Sequence, residues 1–185
     1  MQLLEPVVVG AFIAVPEPWR EDLDAWRRSF GDPHADRIPV HITLLEPTRM
    51  TGFEFEGFRQ RLLHAAADES QFRVELGPTA TFRPVSPVVY LQAHAEDDAL
   101  PRLHSCVREA AGSPPRRHPY LPHLTVAMDV PDEVLDLAQS ELADYEAAWV
   151  VNRVDVWTRD RAGVWHPAFE APLASAPDAG SQAHS

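Results

Sequence analysis

Two short apolar runs carry the same polar pair: His41-Ile42-Thr43-Leu44-Leu45 and His123-Leu124-Thr125-Val126-Ala127. An imidazole can give or take a proton near neutral pH, and a hydroxyl can donate a hydrogen bond to a developing negative charge. Side chains on an extended strand alternate between faces. His41 and Thr43 therefore share one face of a strand, with Ile42 and Leu44 on the other; His123 and Thr125 follow the same phase. Two imidazoles and two hydroxyls are thus predicted to line one cleft. Such a set suits phosphodiester cleavage, in which one imidazole takes a proton from the attacking water and the other protonates the departing oxygen. Thr43 and Thr125 would then hold the non-bridging phosphate oxygens. Any half-exposed strand can show one His-x-Thr triplet, so the weight rests on the pair.

The two copies are 123 − 41 = 82 residues apart, and the same offset superposes other apolar stretches. Val89, Leu91 and Ala93 fall on Val7, Val9 and Ala11, while Val154 and Val156 fall on Phe72 and Val74. This register implies an internal duplication, with pseudo-repeats at about 6–82 and 88–172 and the motifs facing a pseudo-twofold axis.

The paired His-x-Thr-hydrophobic motifs, their spacing and the lead-in His118-Pro119-Tyr120-Leu121-Pro122 resemble the two-histidine (2H) phosphoesterase superfamily, in its bacterial branch of 2′-5′ RNA ligase-like proteins. The resemblance covers roughly residues 6–172; Glu46 departs from the apolar or aromatic residue expected after the first motif. It implies an α+β, bilobed fold with a central cleft, and opening of 2′,3′-cyclic phosphates on nucleotides or RNA ends. It also implies that His123 activates water and His41 protonates the leaving 3′ oxygen. Relatives join ends through 2′-5′ linkages by the reverse reaction, and others trim RNA 3′ ends. A non-catalytic module binding nucleotides or RNA ends is the alternative, although binding alone does not call for two proton-transfer groups.

Composition narrows the partners. The chain has 185 residues, a net charge of −12, and arginine at all 16 basic positions. An acidic chain repels long polyanions, which basic stripes normally hold, so a small or terminal phosphate is expected rather than long duplex nucleic acid. No segment has the ~20 apolar residues of a membrane span. One cysteine, Cys106, fits a reducing cytoplasm. Neither His-x-His, nor His-Glu-x-x-His, nor a cysteine cluster is present, so no metal and no cofactor are expected. A monomer is the expected working unit.

Strands are predicted at Val7 to Val15, Val40 to Leu45 (ended by Pro47), Phe72 to Leu76 with a possible extension to Phe82, Val88 to Ala93, and Leu124 to Met128. A closing hairpin joins Trp149 to Thr158 with Val164 to Glu170. Helices are predicted at about Glu17 to Ser29, Phe55 to Asp68, Asp97 to Ala111 and from Pro131 on. Residues 1–173 form the domain, and Ala174 onward, rich in Ala, Ser, Pro and Gly, is predicted to be disordered. Tyr120, Arg117 and Arg83 are the candidate substrate contacts, by base stacking and phosphate pairing. His34 and His166 join no constellation in the sequence.

Overall fold

The computed structural model describes residues 6–114 and 118–175. Alternating strand residues produce one antiparallel sheet built from β1 (Val7–Ala14), β2 (His41–Met50), β3 (Phe72–Thr81), β4 (Val88–Ala95), β5 (His123–Met128), β6 (Ala147–Val151), β7 (Arg153–Arg159) and β8 (Trp165–Pro172). Four helices accompany them: α1 (Trp19–Ser29), α2 (Gly52–Ala67), α3 (Ala99–Ala110) and α4 (Asp132–Glu141). The strand order is β6-β3-β4-β5-β2-β1-β7-β8. β6 and β7 are consecutive in the chain and separated only by Asn152, yet they lie near opposite ends of that order. Only a strongly curled sheet lets one residue bridge them. The fold is therefore α+β with a curled antiparallel sheet.

The two motif strands meet at the middle of the order, where Ile42 pairs with Leu124. These residues are 82 apart, the same offset as the two motifs, so the antiparallel pair marks a local twofold between the motif strands. β1 flanks β2 as β4 flanks β5. The outer strands are exchanged: β3, from the first half of the sequence, lies on β4 from the second, while β7 from the second half lies on β1 from the first. Each half of the sheet is consequently woven from both halves of the sequence.

Several boundaries move. β2 does not stop at Pro47; it runs on to Met50, because the missing N–H falls at a bulge. Val9 pairs with Thr48 and Ala11 with Leu45, so Gly10 alone opposes Glu46 and Pro47. A second irregularity, between Ala11 and Phe12, lets consecutive Leu44 and Leu45 both be buried. The expected strand Trp149 to Thr158 is two strands broken at Asn152, one on each flank of the sheet. α2 begins at Gly52, earlier than hydrophobic periodicity indicates, because Thr51 and Glu54 form a reciprocal capping box. The third predicted helix opens with a 3₁₀ turn, Glu96–Asp98, before α3. Ala174, assigned to the tail, hydrogen-bonds with Glu69 and Gln71; the tail from residue 176 lies outside the described residues.

The core lies between the helices and one face of the sheet. It includes Ile42, Leu44, Leu124 and Val126, each fully buried, together with Leu23, Phe58, Leu62, Leu103 and Leu135 from the helices. Burying the apolar alternates fixes the polar alternates on the opposite face. Ile42→Ala or Leu124→Ala should each reduce unfolding free energy by about 2–5 kcal/mol, from lost transfer energy and the cavity left behind. Urea denaturation checks this, and an unchanged midpoint would show that the seam carries no such weight.

Candidate active site

His41, Thr43, His123 and Thr125 are all half-buried, while their neighbours Ile42, Leu44, Leu124 and Val126 are fully enclosed. The antiparallel Ile42–Leu124 pair sets His41 across from Thr125 and Thr43 across from His123. At roughly 3.3 Å rise per residue and roughly 5 Å between strands, the four side chains occupy the corners of one small patch. The histidines stand on one diagonal and the threonines on the other.

Both rings are held in the same way. His41 Nδ1 donates to the Pro39 carbonyl oxygen at 2.8 Å, and His123 Nδ1 donates to the Leu121 carbonyl at 2.7 Å. Pro39 and Leu121 are again 82 residues apart. A carbonyl oxygen can only accept, so each Nδ1 carries a hydrogen and Nε2 is the atom that gains or loses a proton.

Buried groups fix the first carbonyl. Asp24 of α1 accepts the Val40 N–H at 2.9 Å, and Arg27 Nη1 donates to the Ile38 carbonyl at 2.8 Å, so the helix grips both neighbours of Pro39. Arg27 is in turn held by Asp32 at 3.1 Å. Near the second carbonyl, the Ala93 N–H donates to Pro122. Among the described residues, no buried side-chain polar atom lacks a partner. Asp24 and Arg27 are not among the sequence-predicted site residues, because a polar residue on a helix carries no local sign of a backbone partner more than ten residues away. Their spacing of three, flanking the same turn, signalled only that the two could act together.

Aromatic rings wall both histidines. Phe12 lies edge-on to His41 at 4.4 Å between centroids and Trp157 at 5.9 Å; Phe82 and Tyr90 lie 5.0 and 5.2 Å from His123. A side chain at Gly10 would meet the Phe12 ring at 2.4 Å, so this glycine lets the ring fold across the strand beside His41. Burial pushes the His41 pKa down to about 4, although its bond to Pro39 opposes the shift; the nearby Arg27 and His123 add to the lowering.

The candidate substrate contacts fare differently. Arg83 is bound to Asp136 at 2.7 Å and lies 3.6 Å from Asp132, so its charge is committed to the first turns of α4. Tyr120 stacks on His104 at 3.9 Å and donates to the Thr43 carbonyl at 2.8 Å; one face of its ring is covered, and it buttresses the first motif strand. Arg117 lies outside the described residues. Glu46 pairs with Arg108 at 3.0 Å. His34 bonds to Asp129 and His166 to Asp160, at 2.9 and 2.8 Å. Among the described residues, no group of three or more His, Cys, Asp or Glu is disposed to hold a metal ion, and no helix is long and apolar enough to cross a membrane.

A curled antiparallel sheet presenting two symmetry-related His-x-Thr strands defines the two-histidine class of phosphoesterase. The family model described as "2'-5' RNA ligase superfamily" matches residues 15–163, and the chain belongs to that family. A protein of Halalkalibacterium halodurans provisionally named a phosphoesterase is 25% identical over 158 residues, spanning 84% of this chain and 91% of its own. Among solved structures, Escherichia coli LigT complexed with 3'-AMP superposes with a TM-score of 0.71 at 20% identity, covering 91% of this chain and 99% of its own. Thermus thermophilus TT0787 gives 0.62 at 21%, covering 91% and 98%.

Two outcomes follow from the buried groups. Arg27→Ala strands the enclosed Asp32 carboxylate and should cost about 3–5 kcal/mol in denaturant unfolding, far beyond a surface substitution. The low His41 pKa has a definite sign. Between pH 6.5 and about 4 the unfolded chain binds the proton that folded His41 refuses, so its contribution to stability is held above 6.5 and lost on acidification. A His41→Ala variant should therefore gain on wild type in Tm as pH falls from 7 to 4; a constant difference would contradict the shift.

Proposed function

We propose that this protein is a metal-independent phosphodiesterase that opens 2′,3′-cyclic phosphates of nucleotides or RNA ends. The observation that carries the reading is the matched pair of imidazoles, each with Nδ1 tied to a carbonyl so that Nε2 is the atom that gains or loses a proton, on one shared patch. Water attacks phosphorus as one Nε2 takes its proton; a P–O bond to the ribose breaks as the other Nε2–H protonates the departing oxygen. The hydroxyls of Thr43 and Thr125 donate to the non-bridging oxygens, where charge accumulates. Bulk water then restores both protonation states.

The constellation lies on one chain, so a monomer suffices. Small nucleotides are the natural partners: structures of E. coli LigT complexed with 3'-AMP and with ATP show that protein holding such ligands. The net charge of −12 argues in the same direction, against long duplexes. The same ring opening with a 5′-hydroxyl in place of water, its proton passing to one Nε2 while the P–O3′ bond breaks and the other Nε2–H protonates O3′, would join RNA ends through a 2′-5′ linkage.

The test is turnover on a panel of nucleoside 2′,3′-cyclic phosphates and cyclic-phosphate-ended oligonucleotides in the presence of EDTA. His41→Ala and His123→Ala should each reduce kcat by roughly 10²–10⁴-fold with the fold preserved, and Thr43→Val and Thr125→Val by less. Near-normal turnover by either histidine variant would sink the acid–base scheme. Loss of activity with EDTA and recovery with a divalent ion would replace it with metal chemistry, and binding without turnover would make the protein a nucleotide-binding module.

A further inference from the structure

Beyond the motif patch, the sheet differs in charge from one side to the other. On the first side, ring contacts run outward from His41: Phe12 lies 4.4 Å from it, Trp165 of β8 lies 5.5 Å from Phe12, and the Arg159 guanidinium sits 5.7 Å over Trp165. Strand register extends this path. Trp165 opposes Arg159, Arg159 opposes Val8 and Val8 opposes Arg49, so the four residues form one row across β8, β7, β1 and β2. Directly opposed residues of an antiparallel sheet share a face, so Arg159 and Arg49 flank Val8 on the face that carries Trp165 and Phe12.

A third arginine joins them beside the β7–β8 turn. The Arg37 carbonyl accepts the Trp165 N–H at 2.9 Å, and a side chain at Gly163 would meet Arg37 Nη1 at 3.8 Å. Arg37, Arg49 and Arg159 are all exposed, and among the described residues no ion pair or side-chain hydrogen bond engages them. Elsewhere Arg73, Arg83, Arg108 and Arg153 are each tied to a carboxylate. Asp160, the acid within the turn, is occupied by the Val164 N–H and His166.

The second side is acidic. His123 opposes Gln92; two residues along β4, His94 opposes Glu75 of β3, and Asp144 and Glu146 line the same concavity as that pair. The Arg73 guanidinium there is matched by Glu75 at 3.1 Å.

Building on the phosphodiesterase reading, we propose that the substrate is a short single-stranded RNA end. Its terminal phosphate occupies the motif patch, while the nucleotides 5′ to it run over the first side, their phosphates on Arg37, Arg49 and Arg159 and a base against the half-buried Trp165. Guanidiniums without carboxylate partners are open to phosphate oxygens, and an indole offers a stacking surface to any base. The acidic second side repels a chain running the other way, and the net charge of −12 confines the gain to the few phosphates these arginines reach. A mononucleotide has no phosphate to place there. The three arginines thus select substrates by length without touching the reacting phosphate.

The test compares adenosine 2′,3′-cyclic phosphate with an adenylate tetranucleotide ending in the same cyclic phosphate. Wild type should have a KM about tenfold or more lower for the tetranucleotide. Combining Arg37→Gln, Arg49→Gln and Arg159→Gln should remove that advantage and leave kcat and KM for the mononucleotide unchanged. Each single substitution should flatten the dependence of log affinity for the tetranucleotide on log salt by roughly 0.7. Equal KM values for the two substrates in wild type, a folded triple variant that keeps the advantage or loses both activities alike, or unchanged salt slopes would overturn the inference. Should the triple variant fail to fold, the slopes of the single variants decide. If wild type turns over neither substrate, it is the phosphodiesterase reading that fails. Docking is then decided by fluorescence anisotropy of the same tetranucleotide carrying a 3′-phosphate: weaker binding in the arginine variants upholds it, and equal binding overturns it.

Discussion

Two backbone carbonyls, those of Pro39 and Leu121, fix what the two histidines can do. Each accepts a hydrogen bond from Nδ1 and so settles the tautomer, leaving Nε2 as the titrating atom over the motif patch. The rest of the structure serves to hold those carbonyls still. α1 grips the peptides around Pro39 through Asp24 and Arg27, and β4 holds Pro122 beside Leu121. The Ile42–Leu124 contact beneath them brings the two ring systems together, because burying these residues forces both His-x-Thr pairs to the other face.

The chemistry-bearing part was the most legible in the sequence, for a physical reason. A strand has a period of two, so a polar-apolar-polar triplet declares its faces without help from the rest of the chain. The offset of 82 identified β1 with β4, β2 with β5 and β3 with β7. It could not disclose that β3 and β7 change sides, since pairing partners are chosen by packing across the whole sheet and not by local sequence. Pro47 read as a terminator because a proline removes a ladder donor, and the opposing Gly10, which makes room for a bulge, is nearly forty residues away. At Asn152 nothing local announces that an apolar run becomes two strands on opposite flanks.

The surroundings of the candidate substrate contacts were the least legible. Arg83 and Tyr120 have the right chemistry for a phosphate and a base, but sequence does not show that Asp132 and Asp136 claim the one or that His104 covers the other. With 28 acidic residues against 16 arginines, most guanidiniums find a carboxylate within the fold. In the proposed reaction, hydroxyls and imidazoles are what remains to receive a phosphate at the motif patch, which would suit a single phosphate there better than a chain of them. The aromatic residues around His41 were missed because Phe12 reads as one more apolar strand residue; its place in the sequence gives no hint that it lies on the polar face beside a histidine.

The central claim, that both imidazoles serve one phosphate, can be tested by ¹⁵N-labelled histidine NMR during titration with adenosine 2′-monophosphate. The account predicts that the Nε2 resonances of His41 and His123 shift together along a single saturation curve while both Nδ1 resonances stay protonated. Movement of only one ring, or two curves with different midpoints, would contradict it.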